Sequence, residues 1–224
     1  MARRRGKITM FSLHRQMTEF RLEEIRSFIS HSRRGMKTVW NEFSEKFDKT
    51  TAGWSKEQIS EYVDFIYDDM AMLRDESPQL MRQAQCMIVY GTFEHGIVNL
   101  CRAVHRDGKI ATTLKDKAYM DDVKGYLRPY IRTRPAPFAK DWQWLHEFRI
   151  IRNWMAHNAG KAQRDTNPDG NWAKANTFVR RNRGLIKFAR FGEVIVEDGL
   201  IDRAIAKASS AAAIIEKAVE RLYR

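Results

Sequence analysis

FAKDWQWLHEFRIIRNWMAHNAG, residues 138–160, decides how the rest of the chain reads. Leu145, Phe148, Ile151, Trp154 and Met155 recur at steps of one, three and four, with Trp142 and Trp144 upstream, which is helical spacing. A helix this apolar is buried over much of its circumference. The spacing predicts a core helix from Phe138 to His157, stopped at Gly160. One stripe of it is polar. Positions four apart share a face, so Arg149, Asn153 and His157 align, with Arg152 on their shoulder. Leaving one buried charge without its partner costs about 3–5 kcal/mol, so this stripe faces a cleft, a partner or a second subunit.

Working outward, the same periodicity recurs. Phe20, Ile25, Phe28 and Ile29 form one helical set and Met36, Val39, Trp40, Phe43 and Phe47 another, with Gly35 predicting a kink or break between them. Thr50 to Gly53 is turn-like. Ser55-Lys56-Glu57-Gln58 has capping-box spacing and opens a helix with Ile59, Val63, Ile66, Met70 and Leu73. Ser77-Pro78 reads as a serine cap and first-turn proline, starting a long helix to about Arg106 that Asp107-Gly108 ends. A shorter helix is expected over 116–127, then a rigid Arg134-Pro135-Ala136-Pro137 linker. Residues 161–183 read as a polar, basic loop. LIKFARFGEVIV, residues 185–196, predicts a hairpin around Phe191-Gly192, and Leu200 to Tyr223 a last helix rich in small residues. The expectation is an all-α bundle of five to six helices with a small β-hairpin inserted before the C-terminal helix. Residues 1–77 are taken as a helical extension and 78–224 as the main domain.

The chain has 224 residues, with 40 Lys and Arg against 28 Asp and Glu, a formal net charge of +12. Such an excess favours phosphate backbones or anionic surfaces. It is uneven. Arg3, Arg4, Arg5, Lys7, Arg15, Arg33 and Arg34 form one cluster, and Arg164, Lys174, Arg180, Arg181, Arg183, Lys187 and Arg190 a second. No stretch has the length and apolarity of a membrane span, and the N-terminus lacks a signal-peptide pattern, so a cytoplasmic protein is expected. Cys86 and Cys101 lie on one helix too far apart to bridge each other and read as buried thiols. No histidine pair has metal-ligand spacing, so neither metal nor cofactor is called for.

Arg152-Asn153-Trp154-Met155-Ala156-His157 resembles the R-x4-H motif of the HEPN superfamily in its Arg-Asn form. The resemblance spans residues 78–223: a motif near the end of a core helix, then a variable loop and a final helix. Glu94, in YGTFEHGIVNLCR, looks like the acidic residue that many members carry on an earlier helix. The resemblance implies a metal-independent endoribonuclease, acting as a homodimer in which two motifs share one cleft. It would be a toxin or phage-defence effector, restrained by an inhibitory or sensor partner protein. Arg152, Asn153, His157 and Glu94 are its implied catalytic group. Arg149, Lys161, Arg164, Lys174, Arg180, Arg181 and Arg183 are the expected RNA contacts. The alternative is a catalytically silent dimeric scaffold of the same fold. Where related toxins regulated by nucleotidyltransferases carry a modifiable tyrosine, this chain has Ala159, which argues against that route of control.

Overall fold

The computed structural model describes residues 10–110, 114–115, 120–127, 129, 136–158, 160–162 and 164–223; side chains of residues 10–15, 17–20 and 136–139 are outside that description. The elements in chain order are α1 (Met10–Thr51), α2 (Lys56–Phe65), α3 (Tyr67–Ala71), α4 (Ser77–Arg106), α5 (Met120–Leu127), α6 (Ala136–His157), α7 (Asn171–Arg181), β1 (Ile186–Phe188), β2 (Val194–Val196) and α8 (Asp198–Glu220). A π-helical turn, Met72–Glu76, joins α3 to α4, and a 3₁₀ turn, Arg221–Tyr223, follows α8. This is an all-α bundle carrying one antiparallel hairpin immediately before its last helix.

The centre of the bundle is α4, which packs against α1, α6 and α8. Its Cys86, Val89, Phe93, Ile97, Cys101 and Val104 are buried, as the sequence periodicity requires. The last helix brings Ala204, Ala208, Ala211 and Ala212 to the same core, where small side chains let helices approach closely. Ile25 and Ile29 of α1 join it too. Arg33 ties α1 to α8 through Asp202 at 3.0 Å and the Asp198 carbonyl at 3.0 Å. Residues on both sides of the expected division at 77 thus contribute to one core, and the chain crosses that point in unbroken helix.

The capping box forms as read: the Ser55 N–H donates to Gln58 Oε1 at 2.9 Å and the Gln58 N–H to Ser55 Oγ at 3.3 Å. The hairpin also forms, with Ile186 opposite Val196, Lys187 opposite Ile195 and Phe188 opposite Val194, turning at Gly192 with φ of 86°.

Several expectations are corrected. Gly35 makes no break; α1 runs through it, because the flanking residues are good helix formers and one glycine costs only about 1 kcal/mol. Ser77 caps nothing. Its own φ and ψ are helical, and its N–H reaches back to the Met72 carbonyl in a π-turn. A widened turn accommodates a proline that cannot donate, so Pro78 is absorbed within a continuous helix. Ala136 and Pro137 belong to the first turn of α6, where proline is tolerated, instead of to a linker. The largest correction lies in 161–183. Residues 171–181 are helical, with Ala175 and Phe178 buried on one face. Asp165 holds the N-terminal end of α7, accepting from the Asn167 N–H at 3.0 Å and the Trp172 N–H at 3.3 Å. Residues 116–119, 134 and 135, Ala159 and the cluster Arg3 to Lys7 lie outside the described residues.

Gly160 is the stop that α6 needs. Its φ is 75°, its N–H donates to the Trp154 carbonyl at 3.3 Å, and its carbonyl accepts from Val194 at 2.8 Å. A Cβ there would lie 2.8 Å from the Gln83 amide, which itself donates to the Val194 carbonyl at 3.1 Å. Gly160→Ala is therefore expected to destabilise the protein by about 1–2 kcal/mol, the cost of a side chain in left-handed backbone. Urea unfolding checks this; an unchanged midpoint would contradict it.

Candidate functional site

The polar stripe of α6 meets α4 at Tyr90. The Arg152 guanidinium lies over the Tyr90 ring, 5.6 Å from its centroid, and its Nη1 donates to Asn153 Oδ1 at 3.0 Å. A cation over an aromatic face contributes about 0.5–2 kcal/mol, more as the pair is desolvated. Arg152 Nε is buried and has no hydrogen-bond partner among the described residues. Arg152 is thus a fixed, half-buried charge.

Tyr90 is 1% exposed and stands on Phe148, with ring centroids 6.2 Å apart. Phe148 in turn stacks on Trp144 at 5.1 Å and touches Phe178 of α7. An aromatic column therefore runs from the core to the underside of Arg152. Burial, with the field of Glu94, pushes the Tyr90 phenol well above its ordinary value, although Arg149 and Arg152 pull the other way. Tyr90 stays protonated at neutral pH. Glu94, Arg149, Arg152 and Asp121 thus all act on the charge of this one phenol, and Arg152 alone of them is seen over its ring.

The expected catalytic residues are brought together unequally. Arg152 and Asn153 touch. Glu94 stands near Tyr90 but makes no hydrogen bond or ion pair with another described residue. His157 is exposed in the last turn of α6 and likewise makes none, so its imidazole is open to solvent. Arg149 is held by Asp121 at 3.0 Å.

The expected RNA contacts fall into two groups. Lys161 and Arg164 lie just beyond His157, the Lys161 backbone forming an isolated antiparallel β-bridge opposite Glu193 and the Arg164 guanidinium standing over the Trp172 ring at 5.4 Å. Trp172 itself stacks on Phe188 at 5.0 Å, fastening the segment to the hairpin. The other group follows from α7 running back along α6: Trp172 meets Trp154, Phe178 meets Trp144, and Arg181 pairs with Glu147. Arg180, Arg181 and Arg183 therefore sit beside the middle of α6, about 15 Å from His157 at 1.5 Å per residue. Lys174 stands between the groups, close enough to His146 to act on its charge.

His146 reports on this patch. Burial lowers its pKa first, then Arg149, with Lys124 and Lys174 adding to them and Asp121, 3.5 Å away, opposing. A depressed folded pKa means that the unfolded chain takes up the proton first as pH falls below about 6.5. The His146 contribution to stability is thus present above that value and lost as pH drops through the folded pKa. An NMR titration is expected to find the His146 midpoint below that of an unstructured histidine, and His146→Gln to flatten the acid loss of stability. A midpoint at or above the ordinary value would contradict the arrangement.

Tyr90 is the residue the sequence reading missed. Its only signal is lying four positions before Glu94, on the same helical face. Among the described residues no helix is long and apolar enough to cross a membrane, and no three His, Cys, Asp or Glu side chains are grouped to hold a metal ion. Comparison with family models, with curated proteins and with solved structures finds no match.

Proposed function

We propose that the protein is a metal-independent endoribonuclease of HEPN type, working as a homodimer with two motifs in one cleft. The observation that carries the reading is the pairing of a fixed Arg152, braced by Tyr90 and Asn153, with an unencumbered His157 at the same helix end. Strand cleavage requires removal of the 2′-hydroxyl proton, attack of that oxygen on phosphorus, and protonation of the departing 5′-oxygen. Histidine serves either proton transfer near neutral pH. One chain offers one such imidazole in the motif; two-fold symmetry supplies the second. Arg152 stabilises the added negative charge on the phosphorane, and its bracing means that little reorganisation is needed when the phosphate arrives. The products are a 2′,3′-cyclic phosphate and a 5′-hydroxyl. Arg149, Lys161, Arg164 and Lys174 supply positive charge along the approach. Arg180, Arg181 and Arg183 extend it for a longer strand. Such an activity, held in check by an inhibitory or sensor partner in the cytoplasm, suits a toxin or phage-defence effector.

A second reading draws on Asn153 accepting from Arg152 and on Glu94 leaving Arg152 unpaired: a dimeric scaffold that keeps the motif for packing and cleaves nothing. Incubating the protein with mixed RNA and a chelator separates the two. Cleavage that survives chelation supports the nuclease; intact RNA at every protein concentration supports the scaffold.

A further inference from the structure

Phe65 is the most exposed large apolar side chain among the described residues, at 84%. An exposed ring alone needs no explanation. Phe65, however, belongs to a wider face. From α2 into α3 the helical hydrogen bonds run on through Ile66, whose N–H donates to the Tyr62 carbonyl and whose carbonyl accepts from Met70. Phe65, Asp68, Asp69, Met72 and Glu76 therefore recur at steps of three and four along one side. All five are exposed, and no residue of α2 or α3 is buried, so no described element covers this side.

The charge of this segment runs against that of the protein. Residues 56–76 carry seven carboxylates against Lys56 and Arg74 alone, in a chain of net charge +12. Arg74 is taken up by Asp75 at 2.8 Å, while Asp68, Asp69 and Glu76 make no ion pair among the described residues. Such a face repels phosphate and anionic lipid and attracts a basic, partly apolar surface. The same chain presents one. Residues 171–191 hold six Lys and Arg and no Asp or Glu. Arg180, Arg183, Lys187 and Arg190 are exposed there, with Phe191 bare at the hairpin tip. Within one chain α2 packs on α3 and α7 on α6, so the two surfaces do not serve each other.

We propose that the Phe65 face of one copy docks on the surface of α7 and the hairpin of a second copy. Opposite charges steer and orient the two surfaces. Phe65 and Met72 then leave water against Phe191 and the alkyl stems of the arginines. The contact uses neither Arg152 nor His157, so it is distinct from the shared-motif dimer and stands whether or not the protein cleaves RNA. One consequence does rest on the nuclease reading: docking covers Arg180 and Arg183, cations on the RNA approach, so an assembled copy is a restrained one.

Sedimentation velocity of the full chain over a concentration series, in low and high salt, tests this. Self-association should weaken about ten-fold or more between about 50 and about 500 mM salt, as exposed charges are screened. Asp68→Lys with Asp69→Lys should abolish this salt-sensitive step, and so should Arg180→Glu with Arg183→Glu. All four side chains are exposed, so thermal unfolding should be unchanged. An equimolar mixture of the two charge-reversed proteins should associate again, because each surface then meets its opposite. Phe65→Ser should weaken association in both salts. Three results would overturn the proposal. One is a wild type without a salt-sensitive step, and another is a step that both charge reversals leave intact. The third is a mixture that stays apart, which would assign the face to a different basic protein.

Discussion

His157→Ala is expected to lower RNA cleavage by about 10²–10⁴-fold, the usual worth of a positioned proton-transfer group. The fold should survive. His157 is exposed, makes no hydrogen bond with a described residue, and lies in the last turn of α6. Losing the side chain there removes at most a favourable interaction with the helix C-terminus, about 0.3–1 kcal/mol. A cleavage assay read beside a denaturation curve therefore separates chemistry from folding. Activity lost while the unfolding midpoint holds fits the proposed role; full activity in the variant contradicts it. The pH profile adds a second check, since a reaction using one imidazole as base and another as acid is bell-shaped.

Phe148→Ala is expected to cost about 3–5 kcal/mol, a large share of the 5–15 kcal/mol that typical domains possess. Phe148 is fully buried and meets the rings of Tyr90, Trp144 and Phe178, joining α4, α6 and α7. Its removal opens a cavity that three rigid neighbours cannot easily fill. The damage should reach the site as well, because Tyr90 rests on Phe148 and carries Arg152. Guanidinium unfolding gives the magnitude, with Phe191→Ala as the control: Phe191 is 77% exposed at the hairpin tip and should change stability by no more than about 0.5 kcal/mol. A loss below 1 kcal/mol for Phe148→Ala would mean that the aromatic column does not hold the bundle together.

Elements with strong local signals were legible. The core helix ending at Gly160, the Ser55 capping box, the hairpin before α8 and the alanine-rich last helix each follow from a few residues. The failures share a cause: tertiary packing outweighed a local signal. In 161–183 the density of arginine and lysine hid the spacing of Trp172, Ala175, Phe178 and Val179, whose apolar face α6 covers. Ser77-Pro78 has the composition of a helix start, yet packing along α4 carries the helix through a π-turn instead. Within the candidate site, Arg152, Asn153 and His157 were singled out by residue type and spacing, and Glu94 by the family resemblance alone. Tyr90 was not, because a buried aromatic on an apolar helix reads as core until the guanidinium over its ring is seen. Nor could spacing reveal that Arg181 belongs to Glu147, a pairing set by the antiparallel lie of two helices.

The central claim is that two copies of the motif meet. His157→Cys places a thiol on an exposed position, while the two native cysteines should stay inert: both are buried, the Cys101 thiol is pushed up to about 12, and Cys86 higher still. Treating this variant with a short bifunctional maleimide, at the protein concentration of the cleavage assay, is predicted to give a covalent dimer joined at residue 157. A product that remains monomeric, from protein shown to be folded, would contradict a shared cleft.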